Sequence, residues 1–165
     1  MEYIDTRLKY KDEVLLQSQL TGDMDQQQRG KMIEVIQIRD LLDKEVLLEE
    51  GRCDENLHVV IQGTLMVTKT NNHNEEVLAV LHEDSIVGAM GFVDGMAHSA
   101  SVHSLGKTRI FTVERKRLEA ILESHPDIVY HLMRAIVRTA HSIVKSMNHQ
   151  HVQLTNYVSK ANGRY

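Results

Sequence analysis

Cysteine and proline each occur once in the 165 residues, at Cys53 and Pro126, and tryptophan does not occur at all. A single cysteine cannot close an intramolecular disulfide, which excludes the disulfide-stapled secreted classes. With no recognisable partner beside it, Cys53 reads as an inert thiol near a turn rather than a nucleophile. A single proline leaves few fixed bends, and the lack of tryptophan removes any indole stacking platform. No apolar run reaches membrane-spanning length and no signal peptide stands out, so no membrane association and a cytoplasmic location are expected. Basic residues number 19 against 23 acidic ones, a net charge of −4, and no block of Lys and Arg is concentrated anywhere. A nucleic-acid surface normally needs such a face, so direct DNA binding is not expected. The motifs G-x-S-x-G, P-loop and C-x-x-C are missing as well, and the chain is expected not to be an enzyme.

What is present is 42% hydrophobic content in a chain of a length that suits one core of ordinary size. Residues 1–35 read as an N-terminal helical segment. Within it Met1 to Leu20 is a docking helix or a mobile arm, and a second helix follows, capped by Asp23 or Thr21, with Met24, Met32, Ile33 and Ile36 on one side. From 36 to 114 the period changes to that of strands: Ile36–Arg39, Glu45–Leu48, Leu57–Ile61, Leu65–Thr68, Val77–Leu81, Ala100–Leu105 and Arg109–Val113. Asn71-Asn72-His73-Asn74 supplies a hairpin loop. About eight short strands at such spacing suggest a sandwich or a jelly-roll barrel.

Residues 115–158 read as two helices, the first over Arg115–Glu123 and the second, long one over Pro126–Tyr157, with proline at a first-turn position that needs no N–H. Residues 159–165 are left as a tail. Along the long helix Val129, Met133, Ile136, Ala140, Ile143, Met147, Gln150, Leu154 and Tyr157 follow alternating steps of four and three, a heptad seam, and Leu132, Val137, Val144 and Val158 widen it. A helix of this length reaches roughly 45 Å at 1.5 Å per residue, further than a small β-fold can cover. The expected partner is a second copy of the chain, in a homodimer through Pro126–Tyr157.

One stretch interrupts the strands. In Ile86–Val102, IVGAMGFVDGMAHSASV, Gly88 and Gly91 bracket Ala89-Met90, a spacing suited to a sharp turn into a short helical turn whose unpaired N–H groups would face an anion. The order G-x-x-G, apolar residue, short loop, x-S-A-x-V resembles the phosphate-binding cassette of cyclic-nucleotide-binding domains of the bacterial catabolite-activator type. Gly51 and Gly63, with LHVVIQGTLMV between and beyond them, resemble the family's pattern of two glycines twelve residues apart. The resemblance covers about Ile36 to His141. It implies an α+β, mainly β fold: an eight-stranded β jelly-roll barrel with flanking N-terminal helices and a long C-terminal dimerisation helix. It also implies a ligand-binding cassette of Gly88, Ala89, Met90, Gly91, His98, Ser99 and Ala100, and a role for the long helix in presenting Arg134, Thr139 or His141 to a base.

This chain departs from the pattern at the two charged grips. In the family a glutamate accepts from the ribose and an arginine holds the cyclic phosphate; here Ala89 and His98 stand in those places. Glu83 also precedes Asp84 where the family has glycine. A hydrogen bond to a charged group contributes about 1.5–3 kcal/mol, so two losses amount to about 3–6 kcal/mol, or two to four orders of magnitude in affinity. Ala89 accepts nothing, and a histidine, unlike arginine, is mostly neutral at pH 7. The expectation is a non-catalytic regulatory sensor with no certain cofactor and weak or altered binding of a cyclic nucleotide (cAMP or cGMP) or another small anionic effector, read out by a downstream protein. Family transcription factors carry a helix-turn-helix after the long helix, and the chain ends at Tyr165, which again argues against DNA contact. Two alternatives remain: a degenerate scaffold or dimerisation domain with no ligand, and a metal-binding cupin-like barrel. For the latter, His58, His82, His98 and His103 are too dispersed to declare a site, and His149 and His151 are two apart on a helix and do not share a face.

Overall fold

The computed structural model describes residues 2–72 and 74–162. The elements follow in the order α1 (Glu2–Gln17), α2 (Gln26–Val35), β1 (Ile36–Leu41), β2 (Val46–Leu48), β3 (Asn56–Gln62), β4 (Leu65–Asn71), β5 (Asn74–Leu81), β6 (Ile86–Val87), α3 (Ala89–Asp94), β7 (Ser101–Ser104), β8 (Thr108–Glu114), α4 (Arg115–Glu119) and α5 (Pro126–Asn162).

The eight strands do not close into the expected jelly-roll barrel. They form two separate antiparallel sheets of four, in the orders β1-β8-β3-β6 and β2-β7-β4-β5. A barrel needs every strand to be hydrogen-bonded on both sides with a consistent stagger. Here β6 is two residues long and β2 three, with its register shifted between Val46 and Leu48, so neither can bridge to the other sheet. The sheets pack face to face instead. Val60, Val87, Ile110 and Leu41 from the first meet Leu48, Leu65 and Val102 from the second.

The first sheet is buried on both faces, because β3 alternates two apolar sets: Val60 faces the second sheet while Leu57 and Val59 join Phe111 and Val113 beneath the helices. Val14 and Leu15 of α1, Met32 and Val35 of α2, and Ile128, Leu132, Ala135 and Ile136 of α5 cover that outer side. Thus α1 docks on its own chain, and Lys11 fastens it by donating to the carbonyls of Ile33 (2.9 Å) and Ile36 (2.7 Å). The position where the family has a glycine-aspartate turn holds a second fastening. Asp84 itself takes the left-handed conformation (φ +63°), and its carboxylate accepts from Ser18 Oγ (3.0 Å) and Gln19 N (3.1 Å).

The cap of α2 is Asp25 rather than Asp23 or Thr21. Its side chain accepts from Gln28 N while Gln28 returns the bond to Asp25 N, a capping box. The two expected residues are engaged elsewhere, Thr21 with the Leu15 carbonyl and Asp23 with Arg134 and Arg138 of α5. Helix α4 is shorter than expected, and the chain from Ala120 to Ser124 continues in turns.

In α5 the two halves differ. Up to Ile136 the apolar residues other than Tyr130 pack on the body, whereas every described side chain from His141 onward is exposed, including Ile143, Val144, Met147 and Val152. Of the expected seam, the side chains of Gln150, Leu154, Tyr157 and Val158 lie outside the described residues, as do 163–165 of the expected tail.

Candidate functional site

The stretch between β6 and β7 is built as a helical turn held against the start of β3. Gly88 is its N-cap, at φ +82°, and a side chain there would put Cβ 2.7 Å from the Asn56 carbonyl. Gly91, one turn on, is buried, and a Cβ would lie 2.9 Å from both the Asp54 carbonyl and His98 Cε1. Phe92 N is the first amide to bond back along the helix, to Gly88 O (2.9 Å). The amides of Ala89, Met90 and Gly91 come before it and have no intrahelical carbonyl to meet.

The far end of α3 is clamped by Arg115, the first residue of α4. Its guanidinium donates to Phe92 O (2.7 Å) and Gly91 O (2.8 Å) and pairs with Glu55 (3.0 Å). The loop after α3 is tied to the β2–β3 connection by two backbone bonds, His98 N to Arg52 O (2.8 Å) and Gly51 N to His98 O (2.9 Å). Lys69 of β4 donates to Ser99 O (2.8 Å) and pairs with Glu50.

Of the residues expected at the site, Gly88, Gly91 and His98 therefore come together against Asp54 and Asn56. Ala89, where the family's glutamate stands, is half-buried and packs against the helix-side core, and Met90 points to solvent, 57% exposed. Ser99 is exposed and Ala100 half-buried. Arg134 and His141 are exposed on α5, Arg134 being paired with Asp23, while the Thr139 hydroxyl donates to its own helix at Ala135 O (3.1 Å). A groove of about 140 Å³ runs behind the cassette between α3, α4 and α5, lined by Phe92, Val93, Leu118, Leu122 and Met133. A larger concavity of about 760 Å³, around Asp40, Gln62 and Lys107, lies at the opposite end of the strands.

Beneath the cassette lies a polar cluster that spacing alone did not reveal. His58, 4% exposed, bonds through Nδ1 to Thr112 Oγ1 (2.9 Å) and approaches Asp54 Oδ2 with Nε2 at 3.6 Å. Neither His58 Nε2 nor His98 Nε2 has a hydrogen-bond partner, though both atoms are buried. Asp54 Oδ1 accepts from Asn56 N (2.9 Å) and from Asn56 Nδ2. Burial pushes the Asp54 carboxyl up. The His58 ring close by, the Asn56 amide and, more weakly, His98 together outweigh it and hold the carboxyl below its usual range. The one sequence signal for this cluster was a histidine inside an otherwise apolar strand. Arg115 and Lys69 carried none. Among the described residues no three His, Cys, Asp or Glu side chains gather as a metal ion would require, and no helix is long and apolar enough to cross a membrane.

A family model described as the cyclic nucleotide-binding domain matches residues 38–125. The neuropathy target esterase sws of Drosophila yakuba is 25% identical over 123 residues, covering 69% of this chain and 8% of that protein. The cAMP-activated global transcriptional regulator CRP of Pasteurella multocida is 27% identical over 97 residues, 58% of this chain and 46% of that one. The chain thus spans less than half the length of either relative. In fold it is similar to the crystal structure of a cyclic nucleotide-binding domain from Methylobacillus flagellatus KT, with a TM-score of 0.75 at 21% identity over 86% of this chain and 80% of that one.

Proposed function

Because the chain belongs to the cyclic nucleotide-binding domain family, we propose that it is the sensing part of a regulatory protein whose cassette takes a cyclic nucleotide, or another small anion, weakly. The domain is regulatory and non-catalytic. The observation that carries the weak-binding reading is the pairing of an intact helical turn at Gly88 with Ala89 and His98 in the places of the two charged grips. Main-chain amides at the start of α3 supply the anion's first donors, and the His98 ring stands beside them against Gly91. Lys69, beside Ser99, brings a fixed positive charge to the same loop.

The rival reading is a ligand-free scaffold. Ala89 favours it by packing into the core, and so does His98, whose Nε2 is sealed from solvent. Calorimetric titration with cyclic AMP and cyclic GMP separates the two. Under the sensor reading the wild-type chain binds at high micromolar to millimolar concentration, and Ala89→Glu with His98→Arg tightens binding by about two to four orders of magnitude. If the folded double variant and the wild type both give no heat at millimolar ligand, the scaffold reading replaces the sensor.

The exposed apolar residues in the outer half of α5 suit a second copy of the chain. A row of Ile143, Val144 and Met147, each more than half exposed, is the surface on which two such helices would pair. Ligand at the cassette would reach that pair through Arg115, which holds α3 by two carbonyls and opens α4, the element leading into α5.

A further inference from the structure

We propose that the free edge of β5 takes an extended segment of a partner protein as a further strand, the segment being apolar along its middle and basic at its ends. A free sheet edge presents a row of N–H and C=O groups, and folded chains blunt it by shortness, charge or proline. The other three edges of the two sheets are guarded in these ways. β6 is two residues long and β2 three, while β1 carries Arg39 and Asp40, both held in ion pairs. β5, at eight residues the longest strand, runs Val77-Leu78-Ala79-Val80-Leu81 with neither charge nor proline. No strand pairs with it on the side away from β4, and every residue from Asn74 to Val80 is exposed.

A bulge aims this strand instead of closing it. Ala79 stands opposite Val67 and Val77 opposite Thr68, which leaves Leu78 with no counterpart in β4. Val77 and Val80, three residues apart, therefore share a face, that of Thr68 and Met66. Leu65, Val67 and Val102 take the other face, toward the first sheet. On the outward face Val46, His103, Met66 and Val80 form one row across all four strands of the second sheet. The row ends in the open at β5, where the side chains of an added strand would continue it while its main chain pairs with the edge.

The charges decide the partner's chemistry. From Asn74 to Glu83 there are three carboxylates, Glu75, Glu76 and Glu83, and no Lys or Arg. Glu75 accepts from Thr68 Oγ1 (2.6 Å). Lys69, opposite Glu76 in the ladder, is engaged with Ser99 O and Glu50. Glu76 and Glu83, exposed and seven residues apart, are thus left without a cation at the two ends of the apolar run. A strand with Lys or Arg at matching spacing answers both.

The test uses the intact chain and an end-blocked synthetic peptide, Lys-Thr-Val-Thr-Val-Thr-Val-Lys, whose lysines have the spacing of Glu76 and Glu83. NMR shift changes on titration are expected along β5. The same peptide N-methylated at every Thr and Val keeps its charges and apolar groups but has no amide to donate along its length, and is expected not to bind. Glu76→Lys with Glu83→Lys should weaken the lysine peptide about tenfold and favour a counterpart ending in Glu. Val80→Lys, which gives the edge the guard it lacks, should weaken it as much. Circular dichroism verifies that the variants are folded, and either one alone suffices. No shift at millimolar peptide, equal binding of the methylated peptide, shifts at β1 or β2 in place of β5, or unchanged affinity in a folded variant overturns the proposal. Light scattering covers the remaining occupant: wild-type assemblies larger than a dimer that Val80→Lys dissolves would give the edge to a second copy of the chain and overturn the partner segment.

Discussion

Replacing glycines one at a time by alanine measures how tightly the cassette is held. Three positions differ in ways that can be worked out in advance. At Gly88 alanine meets two costs. The φ of +82° is disfavoured for an L-residue by about 1–2 kcal/mol. The added Cβ would also stand 2.7 Å from the Asn56 carbonyl, a backbone atom at the start of a strand paired to β8 and β6, so the neighbour cannot simply turn away. Overpacking of that kind costs about a further 1–3 kcal/mol, making roughly 2–5 in all. Gly51 has a similar φ, +79°, but nothing within 4 Å of the added carbon, so only the conformational cost of about 1–2 kcal/mol remains. Gly30 lies inside α2 with nothing near it, and alanine there should stabilise by about 0.5–1 kcal/mol. Urea unfolding followed by circular dichroism gives all three values, and thermal midpoints should move about 2–4 °C per kcal/mol in a chain of this size. The order Gly30→Ala above wild type, then Gly51→Ala, then Gly88→Ala lowest is the expected result. If Gly88→Ala costs no more than Gly51→Ala, the turn is not pressed against the start of β3.

Other perturbations act on the surfaces around it. Arg115→Met removes the guanidinium that holds the Gly91 and Phe92 carbonyls, bonds of a charged donor worth about 1.5–3 kcal/mol each before the partial exposure of the side chain is discounted. Amide exchange in α3 should speed up at least tenfold while β3 and β8 keep their protection, and Arg115→Lys should fall between, since lysine keeps the charge and loses the fork. Ile143→Glu with Met147→Glu places charge on the exposed outer half of α5. Light scattering should report a shift from dimer to monomer with the unfolding midpoint of the monomer unchanged, and a wild-type chain that is monomeric at high micromolar concentration would remove the pairing surface.

The order and approximate limits of the strands were legible because β3 and β8 carry dense, largely β-branched apolar runs, Val59-Val60-Ile61 and Ile110-Phe111-Thr112-Val113, set off by turn residues. The closure of those strands was not. Whether eight strands make a ring or two stacked sheets depends on whether the shortest can carry a complete ladder. Nothing in Ile86-Val87 or in Val46 to Leu48 announces that these stop after two and three residues. The cap of α2 was missed for a related reason. Thr21, Asp23 and Asp25 are all competent caps, and the choice falls to Asp25 because Leu15 and two arginines of α5, at the far end of the sequence, claim the other two. Local chemistry offered three candidates, and tertiary contacts selected one.

The candidate site divides along the same line. Gly88 and Gly91 could be recognised from spacing, because a backbone approaching within 3 Å of a neighbouring chain leaves no room for another residue. Their identity is tied to stability. Ala89 and His98 are under no such demand, since a small apolar residue and a half-buried ring both fit the cradle as it stands. What fills those positions can alter ligand affinity without unfolding the turn. A cassette can therefore keep its shape after its charged grips are gone, and shape alone then says little about which anion, if any, is held. The chemistry that remains to decide it is carried by His98 and by Lys69, which reaches the Ser99 carbonyl from a strand thirty residues away in sequence and close only in the folded chain.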